Sequence, residues 1–363
     1  MPASKRPRQN RNEKRHLDIR DVARHARVSI ATVSRTINRI PTVDQELADR
    51  VWKAIEELNY FPNTQARALV SGRTRLLGLL VSEITNPFFP ELIEGFEQIA
   101  VANGYEILIG STNYDVSRMA TCIRRMLERQ VEGVAIMTFG IEQPLLKELS
   151  SRDIPMVFVD AGPPGPLVRA LSVDYAKGID EGVHHLAGLG HHSIAFVSGP
   201  LHQGSAQARK TAFIDSLQAS GLEAHPEWLI EGSHTLEGGM AATEHLLSLP
   251  DRPTAIMCSN DMTAIGALRV LARAGLNVPQ EISVIGFDDI HLAEFVYPPL
   301  TTVRMSRKDL ARGAFESLLS VIEKREAPRP GDWPIPTRLI VRESTGSPPE
   351  SPVKKARQRI TSR

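Results

Sequence analysis

The stretch Val28-Ser29-Ile30-Ala31-Thr32-Val33-Ser34-Arg35 carries small and polar side chains at helical spacing. As a helix it turns Ala31, Thr32, Ser34 and Arg35 to one side and Val33 and Ile37 to the other. Short side chains on the outer face let such a helix approach a DNA duplex closely. A guanidinium at Arg35 has the fork geometry that matches the two acceptors of a guanine edge, whereas Ile30 and Ala31 offer only apolar contact, for instance to a thymine methyl.

Short helices on either side must position that stretch. Asp18 is an N-cap for a helix from Ile19, with Asp21 in its electropositive first turn and Ile19, Val22, Ala23 and Ala26 at helical spacing. Ser29 caps the second helix after a tight turn at Arg27. A third helix is expected from about Asp44 to Leu58, burying Leu47, Val51, Trp52, Ile55 and Leu58. Asn59-Tyr60-Phe61-Pro62 ends it, since the residue before proline is pushed out of the α region. Two helices joined by a tight turn make a helix-turn-helix, which sets its second helix in the major groove. By pattern alone a small helical bundle without a nucleic-acid role remains open.

Charge favours the DNA reading. The chain has a net charge of only +1, yet residues 1–75 hold 16 Lys/Arg against 8 Asp/Glu, residues 76–345 hold 22 against 33, and the last 18 hold 5 against 1. Basic ends on an acidic body fit a polyanion-binding module attached to something that does not bind polyanions. At 42% hydrophobic and 23% charged residues, with no apolar run of eighteen, nothing is expected to span a membrane. The basic N-terminus lacks the apolar segment of a secretory signal, and Cys122 and Cys258 offer neither a disulfide framework nor a metal-ligand pattern. A cytoplasmic, nucleoid-associated protein is expected. No glycine-rich phosphate loop or catalytic elbow is present, so neither an enzyme nor a cofactor is expected.

From Leu76 the pattern changes. LLGLLVSEI, YEILIGST, VEGVAIMT and PMVFVD read as buried strands with helices over 90–103, 116–129 and 142–152 between them; ALSVDY, SIAFVSG, TAIMCS and ISVIGFDD restart the pattern. Buried strands alternating with helices imply parallel sheets, hence two doubly wound α/β units. The last residues, GSPPESPVKKARQRITSR, read as a disordered basic tail without leucine heptads.

The segments DIRDVARHARVSIATVSRTIN and TVDQELADRVWKAIEELNYFPNTQARALVSGRT resemble the headpiece of the lactose-repressor (LacI/GalR) family over its full length, and the alternating body resembles that family's periplasmic-binding-protein-like core. The resemblance implies a sequence-specific transcriptional regulator, most simply a repressor. It implies an all-α headpiece with a hinge helix, joined to an α/β core of two doubly wound subdomains. Ile30 and Ala31 fall where the family discriminates bases, Arg35 where it lies near a guanine, and Ser29, Thr32, Ser34 and Asn38 where it touches phosphate or sugar. Residues 63–71 match the hinge helix, with Leu69 at the leucine that wedges into a central base step.

The implied organisation is a basic arm at 1–16, a headpiece at 17–62 and a hinge and linker at 63–75. A core at 76–345 follows, with subdomains 76–160 plus 304–330 and 161–303 plus 331–345, and then a tail at 346–363. In the cleft between subdomains the motif matches are Ser82, Phe88, Phe89, Asp160, Arg209, His234, Asn260 and Asp288, with Asp261 and Asp289 beside them. Carboxylates, an amide and an arginine suit a neutral polyhydroxy ligand, so the expected effector is a carbohydrate. The expected assembly is a homodimer on a pseudo-palindromic operator. A regulator answering to a corepressor or a protein partner is the alternative.

Overall fold

The computed structural model describes residues 17–38, 40–61, 72–138, 143–160, 165–324 and 334–350. The expected arm at 1–16, the hinge at 63–71 with Leu69, and residues 351–363 of the tail lie outside these. The chain divides into two compact units, 1–74 and 75–363.

The first unit packs three helices, α1 (Ile19–Ala26), α2 (Ile30–Ile37) and α3 (Gln45–Glu57), around a small core of Val22, Ala23, Ala26, Val33, Val51 and Ala54. Asp18 caps α1 in a reciprocal capping box with Asp21. Arg27 ends it in the left-handed region at φ 53°, and Arg50 from α3 donates to the Ala26 and Arg27 carbonyls, satisfying the end of α1. One expectation fails: Trp52 is 43% exposed. It stands one residue, about 100° of helix, past Val51, while the buried face continues through Ala54.

In the second unit, one sheet has the order β11-β5-β4-β3-β1-β2 and the other β12-β10-β9-β8-β6-β7. Lobe 1 holds β1 (Leu76–Val81), β2 (Glu106–Ser111), β3 (Gly133–Met137), β4 (Met156–Val159), β5 (Val168–Val173) and β11 (Pro334–Ile335). Lobe 2 holds β6 (Ile194–Ser198), β7 (Leu229–Glu231), β8 (Ala255–Cys258), β9 (Ser283–Asp288), β10 (Thr301–Met305) and β12 (Thr337–Ile340). Every pairing is parallel except that of β10 with β12. The helices are α4 (Phe88–Ala102), α5 (Val116–Glu128), α6 (Gln143–Ser151), α7 (Tyr175–Gly188), α8 (Gly204–Ala219), α9 (Leu236–Ser248), α10 (Asp261–Arg273) and α11 (Arg307–Ile322). No helix among the described residues is long and apolar enough to cross a membrane.

The expected subdomain boundary at 160/161 is wrong. ALSVDY is β5, which runs beside β4 in register Met156↔Val168 and belongs to lobe 1. The chain first crosses after Val173, where α7 packs on β10 and β12. It returns to lobe 1 only after Met305, for α11 and then β11, and ends its strands in lobe 2 at β12, so the expected boundaries at 303/304 and 330/331 also fall too early. Strand–helix alternation in a sequence does not reveal which sheet a strand joins; backbone pairing decides it. β2, read as buried, is an edge strand with Glu106 and Ile109 exposed.

Candidate DNA-reading helix and effector cavity

α2 presents the expected face. Ser29, Ile30, Ala31, Arg35 and Asn38 are exposed, Thr32 and Ser34 partly so, while Val33 is buried and Ile37 packs against the core. Ser29 holds the helix start: its Oγ accepts from the Thr32 N–H at 3.0 Å and lies 2.9 Å from the Thr32 hydroxyl. Thr36, not singled out in the sequence, is buried and donates back to the Thr32 carbonyl at 2.9 Å. Ile30, 46% exposed, is an apolar side chain standing in water at the start of α2.

The polar residues of the second unit converge on a cavity at the carboxyl ends of the strands of both lobes. The cavity is a slot between the lobes with about 640 Å³ between its walls, mouth included. Phe88, Phe89, Arg209, His234, Asn260 and Asp288 line it, as expected from the motifs. Phe88 and Phe89 begin α4 edge to face, 5.3 Å apart, and Asn86 accepts from the Phe88 N–H at 3.1 Å to hold that turn.

Arg209 is the centre of the polar wall. Its guanidinium carbon lies 4.8 Å from the Tyr175 ring centre and 4.2 Å from that of Phe287, and Nη1 donates to the Ser259 carbonyl at 2.7 Å. Nη2 is 4.0 Å from Asp288 Oδ1, an ion pair without a hydrogen bond. Burial pushes the Asp288 carboxyl up to about 6, with Arg209 and then Arg307 opposing. Arg209 Nε and Gln203 Oε1 are buried with no hydrogen-bond partner. One donor and one acceptor in the wall are thus left for a ligand.

His234 is neutral. Burial pulls its imidazole down to about 3, helped by the charge on Arg209. Its ring covers the end of β6, where a Cβ on Gly199 would lie 1.8 Å from Nε2, so any side chain there would displace the imidazole. Asn260 caps α10 through Oδ1 to the Thr263 N–H at 2.9 Å and donates through Nδ2 to the His234 carbonyl at 2.9 Å. Both of its polar atoms therefore have a structural partner, although it borders the slot.

Other motif residues lie elsewhere. Ser82 is buried away from the slot, donating to Thr138 Oγ1 at 3.1 Å. Asp160 stands behind the wall, its Oδ2 accepting from the Tyr175 hydroxyl at 2.9 Å, and burial raises its pKa. Asp261 accepts from the Ile290 N–H at 2.8 Å and from the Thr302 hydroxyl; burial first, then Asp288, hold its carboxyl well above the usual range. Asp289 pairs with Arg342 at 2.7 Å and with Arg304. None of these four lines the slot itself, because strand-end carboxylates and hydroxyls serve loop anchoring as readily as ligand binding.

The sequence reading missed Gln203, Ser205, Tyr114 and Tyr175, which also line the slot. Tyr114 is half exposed at φ 57° and follows Asn113 at φ 51°. His191, which follows the end of α7, is buried between Thr254 Oγ1 at 2.8 Å, Ser283 Oγ at 3.0 Å and the Gly346 carbonyl at 2.8 Å. It secures the end of the described chain to lobe 2.

A helix-turn-helix unit followed by a two-lobed binding core defines a ligand-responsive DNA-binding regulator. Residues 18–63 match the bacterial regulatory proteins of the lacI family, and residues 183–345 match the periplasmic binding protein-like domain. The HTH-type transcriptional repressor PurR of Aliivibrio salmonicida (strain LFI1238) is 34% identical over 312 residues, 86% of this chain and 94% of the relative. That of Vibrio vulnificus (strain CMCP6) is 35% identical over 85% of this chain and 92% of its own length. Among solved structures, the lac repressor dimer bound to operator and the anti-inducer ONPF superposes with a TM-score of 0.79 at 27% identity, covering 91% of this chain and 99% of that one. The transcriptional regulator CelR in complex with cellobiose gives 0.68 at 28%, covering 90% and 99%. The chain belongs to the lacI family of bacterial regulatory proteins. It is a DNA-binding transcriptional regulator with a small-molecule-binding core, and its relatives are repressors, not enzymes.

Proposed function

We propose that the protein represses transcription as a homodimer on a pseudo-palindromic operator and that a neutral polyhydroxy compound, a carbohydrate, occupies the slot. In this reading Arg35, Ile30 and Ala31 meet base edges, Ser29, Thr32, Ser34 and Asn38 meet the backbone, and Leu69 wedges into the central step. The exposed apolar side chains Leu292, Phe295 and Tyr297 of the core suit a contact between copies.

The observation that carries the effector reading is the buried Arg209–Asp288 pair at the end of an aromatic-walled slot, with Arg209 Nε unpartnered. Adjacent hydroxyls of a sugar can donate to the carboxylate and accept from the guanidinium, while a ring face lies on Phe88 or Phe89. The opposed charges also disfavour an anionic ligand. Ser82 and Asp160 act in this reading through Thr138 and Tyr175, which border the slot.

A second reading, a purine-like base acting as corepressor, is favoured by Gln203 in the aromatic-walled slot. Its carboxamide matches the adjacent donor and acceptor of a base edge. The experiment is operator binding at a selected site by fluorescence anisotropy, across a panel of neutral sugars, sugar acids and nucleobases. A neutral sugar that lowers operator affinity supports the first reading. A nucleobase that raises it replaces that reading with the second. Response only to sugar acids removes both.

A further inference from the structure

Loop 288–291 carries Asp288 into the slot in an unfavourable backbone conformation. Asp288 has φ 105° and Asp289 φ 56°, both in a region that non-glycine residues seldom occupy. Such a loop persists only if its surroundings hold it. Lobe 2 supplies part of the restraint: the Ile290 N–H donates to Asp261 Oδ2 at 2.8 Å, and the Asp289 carboxylate accepts from Arg342 Nη2 at 2.7 Å.

The remaining restraints come from across the cleft. Glu91 is in the first turn of α4 and Arg307 is the first residue of α11; both helices pack together on the lobe 1 side. Glu91 Oε2 and Arg307 Nε are 2.7 Å apart. Each then extends one further bond into lobe 2. Glu91 Oε1 accepts from the His291 N–H at 3.0 Å, and Arg307 Nη1 donates to the Asp288 carbonyl at 2.6 Å. Glu91 also lies one turn or less past Phe88 and Phe89, so the same helix start carries the aromatic wall of the slot.

We propose that Glu91 and Arg307 form a latch across the cleft, closing the lobes over the slot and fixing the backbone that aims Asp288 at its ligand. They are positioning residues. A partly exposed ion pair by itself contributes little. What makes this one directional is that each partner's second bond is a charge-assisted hydrogen bond to a main-chain group of the other lobe, an acceptor against an N–H and a donor against a C=O. The two charges are therefore not interchangeable. The functional weight of the latch rests on the slot being the effector site, but its existence can be tested without any effector.

The test uses the full chain with no small molecule added. Hydrogen exchange is followed by mass spectrometry over 286–296, with β3 and β8 as internal controls. In parallel, pulsed dipolar distances are measured between spin labels at exposed Arg118 and Glu237, in a Cys122→Ser background with labelled protomers diluted by unlabelled ones. Glu91→Ala and Arg307→Met are each expected to raise exchange at 288–291 by about tenfold or more, since each removes charge-assisted bonds, while the control strands stay unchanged. The label distance is expected to lengthen and broaden. Glu91→Gln, which keeps an acceptor for His291 but loses the charge, should fall between. The exchanged pair Glu91→Arg with Arg307→Glu restores an ion pair yet opposes donor to donor at His291 and acceptor to acceptor at Asp288, so it should remain as open as the single variants. Full protection in the exchanged pair would overturn the latch in favour of a plain ion pair. Unchanged exchange and distance in both single variants would overturn it outright. A failed effector panel with an intact latch response would remove the ligand reading and leave the latch standing.

Discussion

α2 and the slot treat polar side chains in opposite ways. On α2 the groups proposed to meet DNA stand in water, and the helix is held from behind by Val33 and Thr36. In the slot, Arg209, His234, Asn260 and Asp288 are already removed from water before a ligand arrives, and burial first, then the charge of Arg209, sets the protonation of His234 and Asp288. The exposed reader leaves desolvation to the moment of binding, so it tolerates substitution in the free protein and reports it only on DNA. The slot has met that cost during folding, so its residues influence stability as well as affinity.

Four expected outcomes sharpen that contrast. The largest is for Arg209→Met, which takes from the buried Asp288 the cation that most opposes its burial and leaves only the weaker influence of Arg307. Denaturant unfolding followed in the core should show a loss of about 3–5 kcal/mol, with the headpiece transition unmoved. Next comes the pH dependence of core stability. His234 is depressed in the fold, so its stabilisation is complete above pH 6.5 and is lost as the pH falls towards 3, up to about 5 kcal/mol at about 1.4 kcal/mol per pH unit. Asp288 is raised, so its contribution is complete below about 3.8 and is lost as the pH rises through 6. The two oppose each other between pH 4 and 6. His234→Gln should therefore flatten the acid side of the stability profile, and Asp288→Asn should steepen it; equal slopes in both variants would contradict the assignment.

On the exposed side, Arg35→Ala should cost about 1–3 kcal/mol of operator affinity and relax preference at one base position per half-site, with thermal stability unchanged. An anisotropy titration against single-base variants of a selected site reads both. The smallest effect is at Arg27. Replacing this left-handed residue by glycine should stabilise the headpiece by about 1 kcal/mol in thermal unfolding, as the strain at φ 53° is relieved.

The headpiece was legible almost entirely in the sequence because its determinants are local. Asp18, Ser29 and Asp44 cap within three residues of their targets, and the apolar spacing of α1 and α2 names the core directly. Eight strands of the body were legible for the same reason. What could not be read was anything set by pairing at a distance. β5 carries a run indistinguishable from the first strand of a new lobe, and only its register with β4 places it. Asp261, Asp289 and Ser82 have the residue types of ligand contacts, but partners 29, 53 and 56 positions away claim them. Gln203 and Tyr114 entered the slot without a motif to announce them.

The short strands β11 and β12 have a consequence for how the protein is made. Residues 334–340 supply an edge strand to each lobe's sheet, so neither sheet is complete until almost the whole core has been translated. The three-helix unit has a small core of its own, complete by Ala54. At bacterial elongation rates of roughly 5–20 residues per second, the nascent chain has its DNA-reading helix folded for on the order of half a minute before the core that governs it can close. During that interval the newborn regulator is one whose sensor does not yet exist.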